Sequence, residues 1–322
     1  MISWEQPAKK IMQLLFRPRL KDREQLSRFK EISMQYPEIC RRLLGDSPGS
    51  CVSMGGYEWG TWAGQVRQSF HHGVPMGFLH HSTLTQTMVF SRKKGISITE
   101  KLARNIQDTF GAQTTEILLR EDYIGLPTIT NLRYMTSAQR AHHTNHLASY
   151  TRATQNAFWD NQHIVEWGGG YGNMARIIRR MNPSVTYTII DLPELLALQY
   201  IYLTSLEGKD RVHIINPGDD ISVSPGVINL IPSQYLLESK ENILSCDGFI
   251  STWGLTESPQ KAQMYVHKHA YFGASMILLA SICDRNNLLS EMISEVSFQR
   301  IPVSILSGKG KHEYWFEAPN PS

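Results

Sequence analysis

The sequence predicts an α/β fold: a Rossmann-like, mostly parallel sheet with helices on both faces, a terminal antiparallel hairpin and a mainly helical N-terminal region. Three observations carry this. From Gln162 onward, short β-branched and aromatic runs alternate with stretches of helical spacing, an order that builds parallel β-α units. Between the first run and the first such helix stands a turn containing Gly168, Gly169, Gly170 and Gly172. Near the C-terminus, two apolar runs flank Ser-Gly-Lys-Gly-Lys, which reads as a hairpin.

The elements follow in order. Residues 3–44 read as helical, because Ile11, Leu14, Leu15, Leu26, Phe29 and Ile32 are spaced for apolar faces with Lys and Arg between them. Pro37, Pro48 and Gly49 punctuate the exit. Residues 55–77 are rich in Gly, aromatics and His without a clean period, so they predict irregular structure and a substrate-facing wall. Residues 97–110 return to helix, 124–127 form a loop, and a further helix runs from 136 or 137 to about 158. Strands are expected at 163–167, 186–190, 227–231, 248–252 and 275–280, with 211–216 as a further candidate. Helices are expected at 173–181, 193–205, 234–244 and 259–272, and hairpin strands at 303–306 and 312–316. A boundary at 135/136 separates the N-terminal region, 1–135, from the α/β domain, 136–322.

Composition narrows the partners. The 322 residues carry a formal net charge of +3 with acids and bases well mixed, which gives no electrostatic case for nucleic acid. Cys40, Cys51, Cys246 and Cys283 are scattered and form no C-x-x-C, so they read as reduced thiols rather than zinc ligands. The N-terminal stretch holds Trp4, Glu5, Lys9 and Lys10 and no long apolar segment of a signal peptide. No apolar run approaches a membrane span. The expectation is a cytoplasmic protein with a small-molecule partner; homo-oligomerisation stays open.

The stretch IVEWGGGYGNMA, residues 164–175, is the most informative. A strand ends, glycines allow a ligand to approach bare backbone, and a helix begins with its unpaired N–H groups. Such a turn holds either a dinucleotide pyrophosphate or the amino-acid end of S-adenosylmethionine. Gly170, Gly172, Ala175 and Asp191 satisfy the dinucleotide spacing. Glu166 points the other way: with Gly168, Gly170 and Gly172 it gives E-x-G-x-G-x-G, and a carboxylate there suits a cationic amino acid and repels a diphosphate. Asp191 would sit at the tip of the next strand, placed to accept hydrogen bonds from both ribose hydroxyls or to cap the following helix.

The segments IVEWGGGYGNMARII, IIDLPELLALQYIYL and CDGFISTWGLTE resemble those of class I S-adenosylmethionine-dependent methyltransferases. More narrowly, they resemble the sugar O-methyltransferase family of bacterial gene clusters. The likeness covers about residue 136 to the C-terminus and departs at Thr252-Trp253-Gly254, where that family tends to carry Asn and Ser. It implies S-adenosylmethionine as cofactor and a sugar or another polyhydroxylated small molecule as acceptor. On this reading Glu166, Gly168, Gly170 and Gly172 surround the methionine end. Asp191 takes the ribose, Leu192, Pro232 and Ser233 flank the adenine, and Thr252 and Trp253 line the sulfonium side. Arg140 and His143 would face the pocket from the helix before the first strand. A sugar hydroxyl needs a base, and His143 and Glu257 are the candidates. No metal is expected: His142 and His146 share a helix face but lack the intervening carboxylate of H-E-x-x-H, and Asp219 and Asp220 lie in a loop away from the site. The alternatives are a non-sugar acceptor, a non-catalytic cofactor-binding protein and an NAD-dependent oxidoreductase.

Overall fold

The alternating pattern builds one eight-stranded sheet. The computed structural model describes residues 20–45, 57–85, 88, 92–238, 244–282, 298–303 and 312–317. The N-terminal region contributes α1 (Leu20–Ile32), α2 (Tyr36–Leu44), α3 (Tyr57–Ser69), α4 (Ser82–Thr85) and α5 (Arg92–Leu119). A two-stranded ribbon, β1 (Ile129–Asn131) and β2 (Thr136–Ser137), leads into α6 (Ala138–Thr154). The α/β part then runs β3 (His163–Trp167), α7 (Asn173–Met181), β4 (Thr186–Asp191), α8 (Pro193–Glu207), β5 (Val212–Ile214), β6 (Ile228–Pro232), α9 (Ser233–Glu238) and β7 (Gly248–Thr252). It closes with α10 (Gly254–Glu257), α11 (Gln260–Lys268), β8 (Met276–Ile282), β9 (Gln299–Pro302) and β10 (His312–Glu317).

The strand order is β5-β6-β4-β3-β7-β8-β10-β9. Neighbours from β5 to β8 are parallel, whereas β10 is antiparallel to both β8 and β9. Strands β3 and β4 pair His163 with Thr186, and β3 and β7 pair Ile164 with Gly248, so the tips of β3, β4 and β7 end side by side. The central strands are buried on both faces, as a helix-covered parallel sheet requires. Among the described residues no helix is long and apolar enough to cross a membrane.

Several expectations change. Residues 57–69 form a helix rather than irregular chain. Trp62, Val66 and Phe70 repeat every four residues and are buried, a period obscured in the sequence by Gly60 and Gly64. The 97–110 helix extends over Arg92–Leu119 with a kink at Gly111, whose φ is 77°. The expected 136–158 helix ends at Thr154, where Gln155 adopts a left-handed cap. Ser137 caps its start by accepting a hydrogen bond from the Arg140 N–H at 3.0 Å. The 259–272 helix stops at Lys268, and Tyr271 and Phe272 take positive φ to bury their rings. The first hairpin strand is Gln299–Pro302 rather than 303–306. Residues 304–306 and the Ser-Gly-Lys-Gly-Lys turn lie outside the described residues, as do 3–19, Pro48, Gly49, Gly55, Cys51, Cys283 and the 239–243 part of the expected 234–244 helix. The candidate strand at 211–216 is present as Val212–Ile214.

The N-terminal helices pack directly on α8. Arg28 donates from Nε to the Ser205 carbonyl at 3.0 Å, and the Tyr36 hydroxyl donates to the Glu194 carbonyl at 3.2 Å. A buried ionic cluster joins the segment after α5 to α6 and α7. Asp122 receives Arg140 and Arg176 at 2.9 Å each and Arg180 at 2.7 Å. Glu121 pairs with Arg140 at 3.2 Å and Glu207 with Arg176 at 2.5 Å. Burial pushes the Asp122 carboxyl up, but Arg176, Arg180 and Arg140 together outweigh it and hold the group well below the usual carboxylate range. Removing the shared carboxylate would leave buried guanidinium groups uncompensated. Asp122→Ala is therefore expected to destabilise the chain by about 3–5 kcal/mol, read as a lower midpoint in urea unfolding.

Candidate functional site at the strand tips

A cavity of about 460 Å³ opens where β3, β4, β6 and β7 end. This is the carboxyl edge at which open α/β sheets bind ligands. The glycine turn, Asp191 and Leu192 form one side; Thr252, Trp253, Gly254 and Glu257 form the other. Helix α6 contributes Gln139, His142 and His143, while Trp59 of α3 and His312 of β10 close the rim.

The turn is built from backbone. Gly168, Gly170 and Gly172 have φ of 80°, 61° and 92°, a region that side-chain-bearing residues rarely adopt. A Cβ on Gly168 would lie 2.9 Å from the Gly254 Cα, and one on Gly254 would lie 2.7 Å from the Trp167 carbonyl oxygen. The loops after β3 and β7 thus touch main chain to main chain. The turn's own N–H groups are largely spent internally: Gly168 donates to the Ile190 carbonyl and Gly172 to the Gly169 carbonyl, both at 2.9 Å.

Asp191 ends β4 beside this turn. Its Oδ1 accepts the Leu192 N–H at 2.8 Å and its Oδ2 accepts the Gln199 amide at 2.8 Å. The same Gln199 nitrogen donates to the Gly170 carbonyl at 2.9 Å, tying the acid to the turn. Burial pushes the Asp191 carboxyl up to about 7, although hydrogen bonds from Leu192, Gln199, Gly170 and Gly169 oppose the shift. Glu166 lies deeper, 1% exposed, and accepts the Tyr187 hydroxyl at 3.0 Å. Burial pushes it up to about 8, with the nearby Asp191 adding to the rise.

The structure places Gly168, Gly170, Asp191, Leu192, Ser233, Thr252, Trp253, His143 and Glu257 in the cavity wall. Four expected residues are not there. Glu166 sits beneath the turn, pointing at Tyr187. Gly172 backs onto α8, where a Cβ would meet Leu203 at 3.0 Å. Pro232 is held within the sheet, paired in register with Asp191. Arg140 is fully buried, and its guanidinium turns to Glu121 and Asp122, because a charge removed from water needs carboxylates that the cavity does not offer there.

Two other groups that shape the site, Gln199 behind the wall and His312 in it, escaped the sequence reading. Gln199 had a signal: it is the lone amide in the apolar run Leu195–Leu203. Its remaining side-chain oxygen is buried without a hydrogen-bond partner among the described residues. His312 had none, since only the β8–β10 pairing carries it to the rim. There it accepts the Trp253 indole N–H at 3.1 Å. On the other side, His142 stacks on Trp253 with ring centroids 5.6 Å apart and planes 18° from parallel. Trp253 itself has φ 65°, a strained backbone for a bulky residue. The His143 Nε2 lies 2.8 Å from the Gln139 amide nitrogen. Burial holds His142 down at about 4 and His143 at about 3. Among the described residues, no group of three His, Cys, Asp or Glu side chains is arranged to hold a metal ion.

The backbone contact between the two loops leaves no room for a methyl group. Gly254→Ala is expected to cost about 1–3 kcal/mol as an overpacking substitution, read as a drop in melting temperature of several degrees.

No protein-family model matches the chain, and no curated protein does. Among solved structures it is similar to PigF with SAH, at 12% identity over 73% of this chain and 72% of that one, with a TM-score of 0.35. It is also similar to an O-methyltransferase family protein from Burkholderia thailandensis, at 12% identity, 70% and 72% coverage and a TM-score of 0.35. Human N-acetylserotonin methyltransferase in complex with SAM gives 12% identity, 87% and 70% coverage and a TM-score of 0.29. Likenesses of this size are too weak to assign an activity or a ligand.

Proposed function

We propose that this chain is an S-adenosylmethionine-dependent O-methyltransferase acting on a hydroxyl of a sugar or another polyhydroxylated small molecule. The observation that carries the reading is the pairing of an acid-backed glycine turn with a second buried acid at the neighbouring strand tip, both beside one cavity. A dinucleotide fits less well. Gly168 and Gly172 spend their N–H groups inside the protein, so the turn keeps few donors for a diphosphate.

Each wall residue has its own task. Asp191 accepts hydrogen bonds from the ribose hydroxyls, and Leu192 and Ser233 flank the adenine. Thr252 and Trp253 face the sulfonium, whose positive charge the indole face favours. When bound, the cofactor supplies an electrophilic methyl group on sulfur. His143 stays neutral at pH 7 and is a weak base, since burial lowers its proton affinity. With the Gln139 amide donating to Nε2, its proton sits on Nδ1, and the ring is held as a neutral part of the wall. Glu257 is the group that takes the hydroxyl proton as the oxygen attacks. Aligning the acceptor with the methyl group is worth about 7–11 kcal/mol in favourable cases, and a base adds about 10²–10⁴-fold. Residues 1–135 act as the capping region, with Trp59 and Met88 reaching the cavity.

Isothermal titration tests the cofactor assignment. S-Adenosylhomocysteine should bind, and Asp191→Ala should weaken it about tenfold or more, the scale of a lost charge-assisted hydrogen bond. NADH binding in its place would sink the reading. Gln199→Leu should weaken S-adenosylhomocysteine without unfolding the chain, as the clasp on Asp191 is lost. The buried acids set the pH dependence. An Asp whose folded-state value is raised to about 7 keeps its proton below that pH and cannot then accept both ribose hydroxyls. Affinity should therefore rise with pH, by about tenfold between pH 6 and pH 8. Glu257→Gln should lower kcat by about 10²–10⁴-fold while leaving S-adenosylhomocysteine affinity unchanged.

A further inference from the structure

A second cavity, of about 300 Å³, lies behind the first, between α5, α6 and the β9–β10 hairpin. Its polar side is formed by Lys101, Asn105, Asn145, Ser149, Arg152 and Tyr314. Its apolar side is formed by Leu102, Ile301, Pro302 and Val303. Arg152 is held in place, donating to the Asn105 carbonyl at 3.0 Å and to the Thr109 hydroxyl at 2.9 Å. The described lining has two cations and no carboxylate, so its chemistry is that of a site for a small organic anion with an apolar body.

This cavity connects to the first through one hydroxyl. Tyr314 lines this cavity together with Asn145 and Ser149. Its hydroxyl lies 2.7 Å from the His146 Nδ1. The fully buried His146 ring packs 4.4 Å from His142 and 5.3 Å from Trp253, centroid to centroid, and both of those line the first cavity. Its Nε2 is buried without a hydrogen-bond partner among the described residues, so the ring's tautomer is set from the Tyr314 side alone.

We propose that the second cavity is an effector site for a small organic anion, coupled through Tyr314 and His146 to the aromatic wall of the first. An anion bound there competes as acceptor for the Tyr314 hydroxyl proton. The hydroxyl turns from His146 Nδ1 to the anion, and Nδ1 loses its hydrogen bond with no proton transferred to or from the ring. The proposal stands whether or not the first cavity holds a methyl donor.

The probe is 1-naphthalenesulfonate, which combines a flat apolar body with one negative charge. Isothermal titration with the full chain should show one site. The double variant Lys101→Gln and Arg152→Gln should weaken it about tenfold or more, the loss of a favourable charge pairing. Ser149→Leu, which fills the cavity, should abolish binding. Circular dichroism melts confirm that each variant is folded. No binding to the parent, or equal binding by the double variant, overturns the site. Nitrogen-15 spectra of the histidine rings read the coupling. The probe should shift His146 in the parent and leave it unmoved in Tyr314→Phe at probe concentrations that titration shows to saturate that variant. A shift of equal size in Tyr314→Phe, or none in the parent, overturns the coupling.

Discussion

The contact on which the site depends is main chain against main chain: Gly168 and Gly254, the residues just beyond β3 and β7. A side chain on either would drive the two loops apart. The close approach lets adjacent parallel strands end together and turn outward as one rim. On the β3 side the chain leaves through left-handed glycines, and on the β7 side through Trp253, which is left-handed without being glycine. A strained tryptophan costs about 1–3 kcal/mol and persists only when its surroundings over-determine it. Here they do. Its indole N–H is held by His312 and its face by His142, so the ring is fixed as a wall before any ligand arrives.

The second constraint is electrostatic. Two carboxylates are buried near one another with no cation beside them among the described residues, and burial raises both. The sign of the consequence is definite. A group whose folded-state value exceeds its unfolded value stabilises the fold at low pH, and that contribution fades as pH rises from the unfolded value through about 7 to 8. An apolar sheet end would be more stable at neutral pH than this one. The pair is the kind of local cost that marks a site, since a ligand offering hydroxyls and a positive charge recovers what burial took away. The cationic partners that would otherwise neutralise the acids, Arg140 and Arg176, are engaged by Asp122, Glu121 and Glu207 on the far side of α7.

Much of this was legible in the sequence because it is periodic. The strands at 163, 186, 227 and 248 are announced by β-branched runs, the third starting one residue later in the structure, and the glycine turn by composition. Residues 57–69 were misread because two glycines interrupt a helical face whose signal lies only in Trp62, Val66 and Phe70. Arg140 was misplaced for a different reason. Its position on α6 is correct, but the direction of its side chain is decided by Asp122, a contact between segments 18 residues apart that no local period encodes. His312 is more distant still, carried to the rim by antiparallel pairing of β10 with β8. The acids and glycines were found from spacing; the groups that orient them, Gln199 and Tyr187, come from tertiary packing.

The histidines of α6 show how one helix serves two environments. His142 and His146 are buried and His143 is half-buried at the cavity, and burial depresses all three. A helix that only packed against the sheet would gain by carrying leucines there, since each desolvated imidazole forfeits hydrogen bonds to water. Each meets a different neighbour: Trp253 stacks on His142, Gln139 hydrogen-bonds His143, and Tyr314 hydrogen-bonds His146. The three neighbours come from the end of β7, from α6 and from β10, so the polar face of one helix links the central sheet to its terminal hairpin. Neutral imidazoles suit that place better than ions or hydrocarbons. They keep the wall uncharged beside the two buried acids, and they retain donors and acceptors that hold the ring planes in fixed orientations.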